Sequence, residues 1–216
     1  MAKPLREPII GITHCVGTAL AIAGLTLMVV KAGLHGSAWH VVSYSIFGAG
    51  LVLLYTFSTL YHWLNLSEKG MKFFRTMDHI MIFVLIAATY TPICLVALRG
   101  GWGWTLFGLV WGLAILGMLM SIFWLHAPRW FSTTIYILLG WLVIIGLAPL
   151  VRALPLSGLL WLALGGLLYT IGGIIYGYKK PDPWPVKFGF HGIFHIFVIL
   201  GSFAHFVVMY FYVINL

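Results

Sequence analysis

Five side chains capable of chemistry sit in or at the ends of segments that are otherwise apolar. Ser58 and His62 lie four apart in F-S-T-L-Y-H, Asp78 opens D-H-I-M-I-F, and His191 and His195 frame H-G-I-F-H. An ionisable side chain inside a bilayer is expensive and marks a functional site by default. Residues four apart project from one helix face, about 6 Å from each other, so His191 and His195 can share one metal ion. Three neutral imidazoles suit zinc, and three protein ligands leave a fourth tetrahedral position open, which is the pattern of a catalytic rather than a structural site. Asp78 is placed to orient an imidazole or hydrogen-bond a water, and Ser58 lies one turn deeper than His62 on the same helix face. Each motif alone has a plainer reading. A histidine pair also packs or hydrogen-bonds, a serine in a membrane helix commonly bonds its own backbone, and an aspartate at a helix end can be a cap.

The elements that must position these residues follow from composition. Hydrophobic residues make up 62% of the 216 positions and charged residues 7%, where a soluble domain carries roughly 25% charged residues. Such a chain cannot cover itself with polar surface, so it is an integral membrane protein. The net charge of +8 does not indicate nucleic acid, because Lys and Arg fall in short loops between apolar runs. Cys15 and Cys94 each stand alone in an apolar run, with no C-x-x-C motif and no disulfide framework. The first apolar run is too long for a cleaved leader, so it is expected to be a retained span.

Seven apolar runs, roughly 10–32, 40–63, 77–98, 103–125, 131–151, 157–178 and 189–214, each approach the ~20 residues that cross a bilayer as a helix. The expected fold is an all-α, seven-transmembrane helix bundle forming a single domain over 1–216. Lys3, Arg6, Lys69, Lys72, Arg75, Arg129, Lys179, Lys180 and Lys187 fall in alternate connections from Lys31, Arg99 and Arg152. Nine against three puts the N-terminus in the cytoplasm and the C-terminus outside. That orientation brings His62, Asp78, His191 and His195 to one depth near the inner boundary, although none of them entered the count. Pro92 is expected to kink the third span and free the Ala88 carbonyl beside Thr89 and Thr91. His205, about 15 Å up the helix from His195, is expected to pack and hydrogen-bond. His14 is expected to bond a neighbouring helix or headgroup, and His35, His40 and His126 to be solvated.

S-T-L-Y-H at 58–62, D-H at 78–79, A-T-Y-T-P at 88–92, H-G-I-F-H at 191–195 and H-F at 205–206, with T-H-C-V-G at 13–17, resemble the bacterial hemolysin III family. That family is similar to the progestin and adipoQ receptors and, more distantly, to alkaline ceramidases. The resemblance covers essentially the whole chain. It implies a bacterial multi-pass membrane protein with zinc on His62, His191 and His195 and Asp78 reaching it through water; the family name implies cytolysis. No function is carried onto the start of the chain, where Glu7 stands as the one acid. The expected activity is zinc-dependent hydrolysis of a lipid amide or ester, with Asp78 as general base and Ser58 bonding water or the oxyanion. A non-enzymatic cytolysin or membrane-stress factor and a lipid-state sensor, each with structural zinc, stand beside it. Membrane lipids are the expected partners, nucleic acid is not, and homo-oligomerisation is left open.

Overall fold

The computed structural model describes residues 4–185 and 187–216; Lys3, counted above among the inner charges, lies outside them. Among the described residues there is no strand, and seven helices are long and apolar enough to cross a membrane. They are Pro8–His35, Ala38–Trp63, Glu68–Ala97, Gly101–Phe123, Arg129–Ala153, Leu156–Tyr178 and Gly189–Asn215, and are numbered as spans in that order. Leu20, Ile22, Leu116 and Leu160 are more than half exposed, as residues facing lipid should be.

The third helix begins well before its apolar run. Ser67 caps it by accepting from the Gly70 amide, and Glu68 stands in the first turn, where an acid complements the helix dipole. Hydropathy reports where hydrocarbon begins, whereas the helix runs on through E-K-G-M-K-F-F-R into the interface. Asp78 therefore stands inside this helix and is not its cap.

Two spans are interrupted. After Pro92 the third span continues as a π-helix over Ile93–Ala97, with the Leu98 amide reaching back to the Ile93 carbonyl at 2.8 Å. Proline cannot donate to the ladder, and the wider turn accommodates the gap. Thr89 and Thr91 bond the Leu85 and Ala87 carbonyls. The fifth span changes from α-helix to 3-10 helix over Trp141–Gly146, just before Pro149. Tyr90 of the third span takes up that break. Its hydroxyl lies 2.6 Å from the Gly140 carbonyl oxygen and accepts from the Val143 amide at 2.8 Å. In a bilayer, broken backbone is tolerated where such a partner is supplied.

Close approach of helices sets the site. The first span packs on the second, the second on the third, and the seventh on the sixth and the first. A Cβ on Gly50 would lie 2.8 Å from that of Ala88, so glycine lets the second and third spans touch. Asp182, in the connection before the seventh span, accepts from the Phe190 amide at 2.9 Å and fixes the helix start just ahead of His191. Gly189 has φ +51, and a Cβ there would strike the Asp182 carboxylate, so this tight entry requires glycine.

Candidate metal centre and its cavity

His62 from the second span and His191 and His195 from the seventh converge, each offering one ligand atom, with all three atoms within 4.8 Å of one another. Ring centroids are 4.9 Å apart for His62 and His191, 5.1 Å for His62 and His195, and 4.7 Å for His191 and His195, all edge-to-face. Parallel stacking would aim the nitrogens past one another. These edges meet.

Hydrogen bonds set two of the three tautomers. The Thr13 hydroxyl donates its one proton to the Ile10 carbonyl at 2.6 Å. It must therefore accept in its 2.9 Å contact with His195 Nδ1, which puts the imidazole proton on Nδ1 and leaves Nε2 as the lone pair. His62 Nδ1 bonds the Glu7 carboxylate; an ionised carboxylate only accepts, so His62 likewise presents Nε2. His62 Nε2 and His191 Nε2 are fully enclosed and, among the described residues, have no hydrogen-bond partner. Buried polar atoms are seldom left unmatched, and a carboxylate behind a ligating imidazole is the usual support of a metal site. The residues present fit a bound metal ion. The bond from His62, ahead of the nearby Arg6, holds the Glu7 carboxyl below the ordinary carboxylate range.

Glu7 and Thr13 were the residues that sequence reasoning missed. Their signal was weak: a lone acid and a common T-H pair at the start of an apolar run. His14 meets neighbouring helices, as expected, but by ring stacking rather than by hydrogen bonding. It is buried, stacks on His195 with centroids 3.5 Å apart and meets Tyr55 edge-on, and among the described residues neither ring nitrogen has a partner. The spacing of Gly11, Gly17 and Ala21, buried on the same face, marks the packed side of the first span and includes position 14. His40 is also buried rather than solvated. Its Nδ1 accepts from the Ser37 amide and its Nε2 donates to the Val213 carbonyl, tying the second span to the chain end. His35 and His126 are exposed as expected. Cys15 and Cys94 are free.

Ser58 and Asp78 line one cavity together with His14, His79, His191 and His195. Its volume is about 140 Å³, far beyond the ~10–15 Å³ that one water needs. Unlike its neighbour Thr59, which bonds the Tyr55 carbonyl, Ser58 spends no hydrogen bond on its own helix and is buried against the cavity. Asp78 is half-buried, and among the described residues no protein group bonds its carboxylate. It is not one of the converging ligand set. Beyond the polar mouth the walls are apolar, including Ile82, Leu85, Ile86, Phe194 and Val198.

Residues 3–206 match the family described as Haemolysin-III related. The chain is 40% identical to Hemolysin-3 of Bacillus cereus over 99% of this chain and 95% of that protein. It is 41% identical to a Hemolysin-3 homolog of Bacillus subtilis over 94% and 92%. A more distant likeness, 24% identity over 90% of this chain and 48% of the other, links it to the adiponectin receptor protein of Drosophila melanogaster.

Proposed function

The chain belongs to the haemolysin-III-related family of multi-pass bacterial membrane proteins, and from its site we propose that it is a zinc-dependent hydrolase of a lipid amide or ester. The observation that carries this reading is the convergence of His62, His191 and His195 beside an apolar cavity that His191, His195, Ser58 and Asp78 line. Zinc held by the three histidines supplies Lewis-acid polarisation of a carbonyl and lowers the pKa of water.

The remaining work falls to the side chains. The Asp78 carboxylate, which no described residue bonds, accepts the proton of the attacking water at Oδ and returns it to the leaving group. The Ser58 hydroxyl is free to donate to the developing oxyanion. Glu7 and Thr13 hold two imidazoles in the tautomer and orientation the site needs. The apolar walls receive the hydrocarbon tail and exclude bulk water, which strengthens every charge interaction at the mouth. Substrate enters from the lipid phase, and the site faces the cytoplasmic boundary by the charge count.

One observation favours a second reading, a non-enzymatic cytolysin or lipid-state sensor. The three histidines, with Glu7 and Thr13 behind them, pin the first, second and seventh spans together, as a structural zinc would, and two relatives carry the name Hemolysin-3. Asp78→Asn separates the two. A hydrolase keeps its zinc and its fold but loses turnover by about 10²–10⁴-fold, so membranes from cells expressing the variant accumulate a lipid that wild type consumes. Identical lipid profiles for wild type, variant and cells lacking the protein contradict the enzyme.

A further inference from the structure

The cavity that begins at the histidine cluster reaches deep into the bundle. Its lining includes Trp141, Tyr169, Thr170 and His205. His205 lies on the same helix as His195, ten residues further on, or about 15 Å at the α-helical rise. Between the two ends the lining is mostly aliphatic and aromatic.

The polar groups at the deep end are nearly all spent on one another. The Tyr55 and Tyr169 hydroxyls both bond Ser202 Oγ, at 2.6 Å and 2.8 Å. Trp141 Nε1 donates to Thr170 Oγ1 at 2.9 Å, and Thr170 donates to the Gly166 carbonyl at 2.7 Å. The Tyr55, Tyr169 and Ser202 hydroxyls share two bonds, which leaves one O–H proton over, whereas His205 leaves an acceptor open. Its ring is 93% buried and stacks on Tyr169, with Nδ1 2.8 Å from the Gly201 carbonyl oxygen. A carbonyl only accepts, so Nδ1 carries the proton, and Nε2 of the neutral ring is a bare acceptor. Among the described residues it has no protein partner.

We propose that His205 Nε2 recognises a hydrogen-bond donor carried on the hydrocarbon tail of the ligand, so that the cavity selects hydroxylated acyl chains. The hydroxyl it reads stands about 15 Å from the end held at the histidine cluster. This deepens the lipid reading above and rests on an acyl chain occupying the cavity.

Ricinoleic and oleic acids test it, since they share chain length and double bond and differ by one hydroxyl well along the tail. Purified protein is equilibrated with an equimolar mixture, and the bound ratio is read by native mass spectrometry. Wild type should favour ricinoleic acid about 2- to 10-fold, the worth of one buried hydrogen bond. α-Hydroxyoleic acid, with its hydroxyl beside the carboxylate, should gain nothing that depends on His205. In His205→Leu the preference for ricinoleic acid should vanish, while His205→Gln, which keeps a neutral acceptor, should retain part of it. A wild-type ratio of unity, or a preference that survives in His205→Leu, overturns the proposal. Should His205→Leu not fold, the wild-type comparison of ricinoleic with α-hydroxyoleic acid decides, equal binding being the contradicting result. Retention of neither acid by wild type removes the acyl-chain reading itself, and the proposal with it; retention of both in equal amounts removes only the proposal.

Discussion

Thr13 Oγ1 lies 2.9 Å from Nδ1 of His195, 182 positions away along the chain, and because its proton is already given to the Ile10 carbonyl it fixes which nitrogen of that histidine remains open. A hydroxyl in the first span thus sets the chemistry of the seventh. Thr13→Val keeps the shape and removes the acceptor. We expect zinc affinity, measured by chelator competition, to fall about 10–100-fold. Thr18→Val, which removes only a bond to the helix's own His14 carbonyl, should leave it unchanged.

Glu7 plays the same part for His62. We expect Glu7→Gln to weaken zinc by a comparable ~10–100-fold and to alter acid sensitivity. The folded-state pKa of Glu7 is lowered, chiefly by the His62 hydrogen bond. Its contribution to stability is therefore fully present above the unfolded value of about 4.3 and disappears as pH falls through the lowered folded value. A thermal melt series from neutral pH downward should show a smaller acid loss in Glu7→Gln than in wild type.

Tyr90 holds together the break in the fifth span. Tyr90→Phe removes the hydroxyl shared by the Leu139 and Gly140 carbonyls and the Val143 amide and leaves those groups in apolar surroundings. We expect a loss of about 1–3 kcal/mol, read from denaturation in mixed micelles. Trp111, which bonds the Thr91 side chain and not the broken backbone, should tolerate Phe better.

A reporter fused after Leu216 should be active only on the outer side, and one inserted between Leu64 and Ser67 only in the cytoplasm. This is the arrangement expected from the charge asymmetry. A cytoplasmic reporter at the C-terminus would reverse the bundle and place the histidine cluster at the outer face.

The seven spans were legible because each apolar run exceeds the bilayer thickness; counting spans put His62, His191 and His195 at one depth, and the family resemblance implied that they form one ligand set. The start of the third helix was not legible, since Glu68–Arg75 is polar and a hydropathy window sees only the hydrocarbon boundary. Nor was the break at Trp141–Gly146, where Gly140 and Pro149 hint at irregularity but the partner that permits it, Tyr90, lies on another span. Glu7, Thr13 and His14 were hidden for a related reason. The contacts that bring them to the site reach spans distant in sequence, and no spacing rule within the first helix points across to the seventh. Asp78 stood out because an acid is rare at that depth, and Ser58 because it lies one turn from His62; that both line one cavity needed coordinates.

The zinc content of purified protein tests the account most directly. Wild type should carry about one zinc per chain by plasma mass spectrometry, and the double variant His191→Ala/His195→Ala should lose it while His205→Ala keeps it. Full zinc in the double variant, or a wild-type protein that binds none when zinc is supplied, would contradict the site on which the proposed chemistry stands.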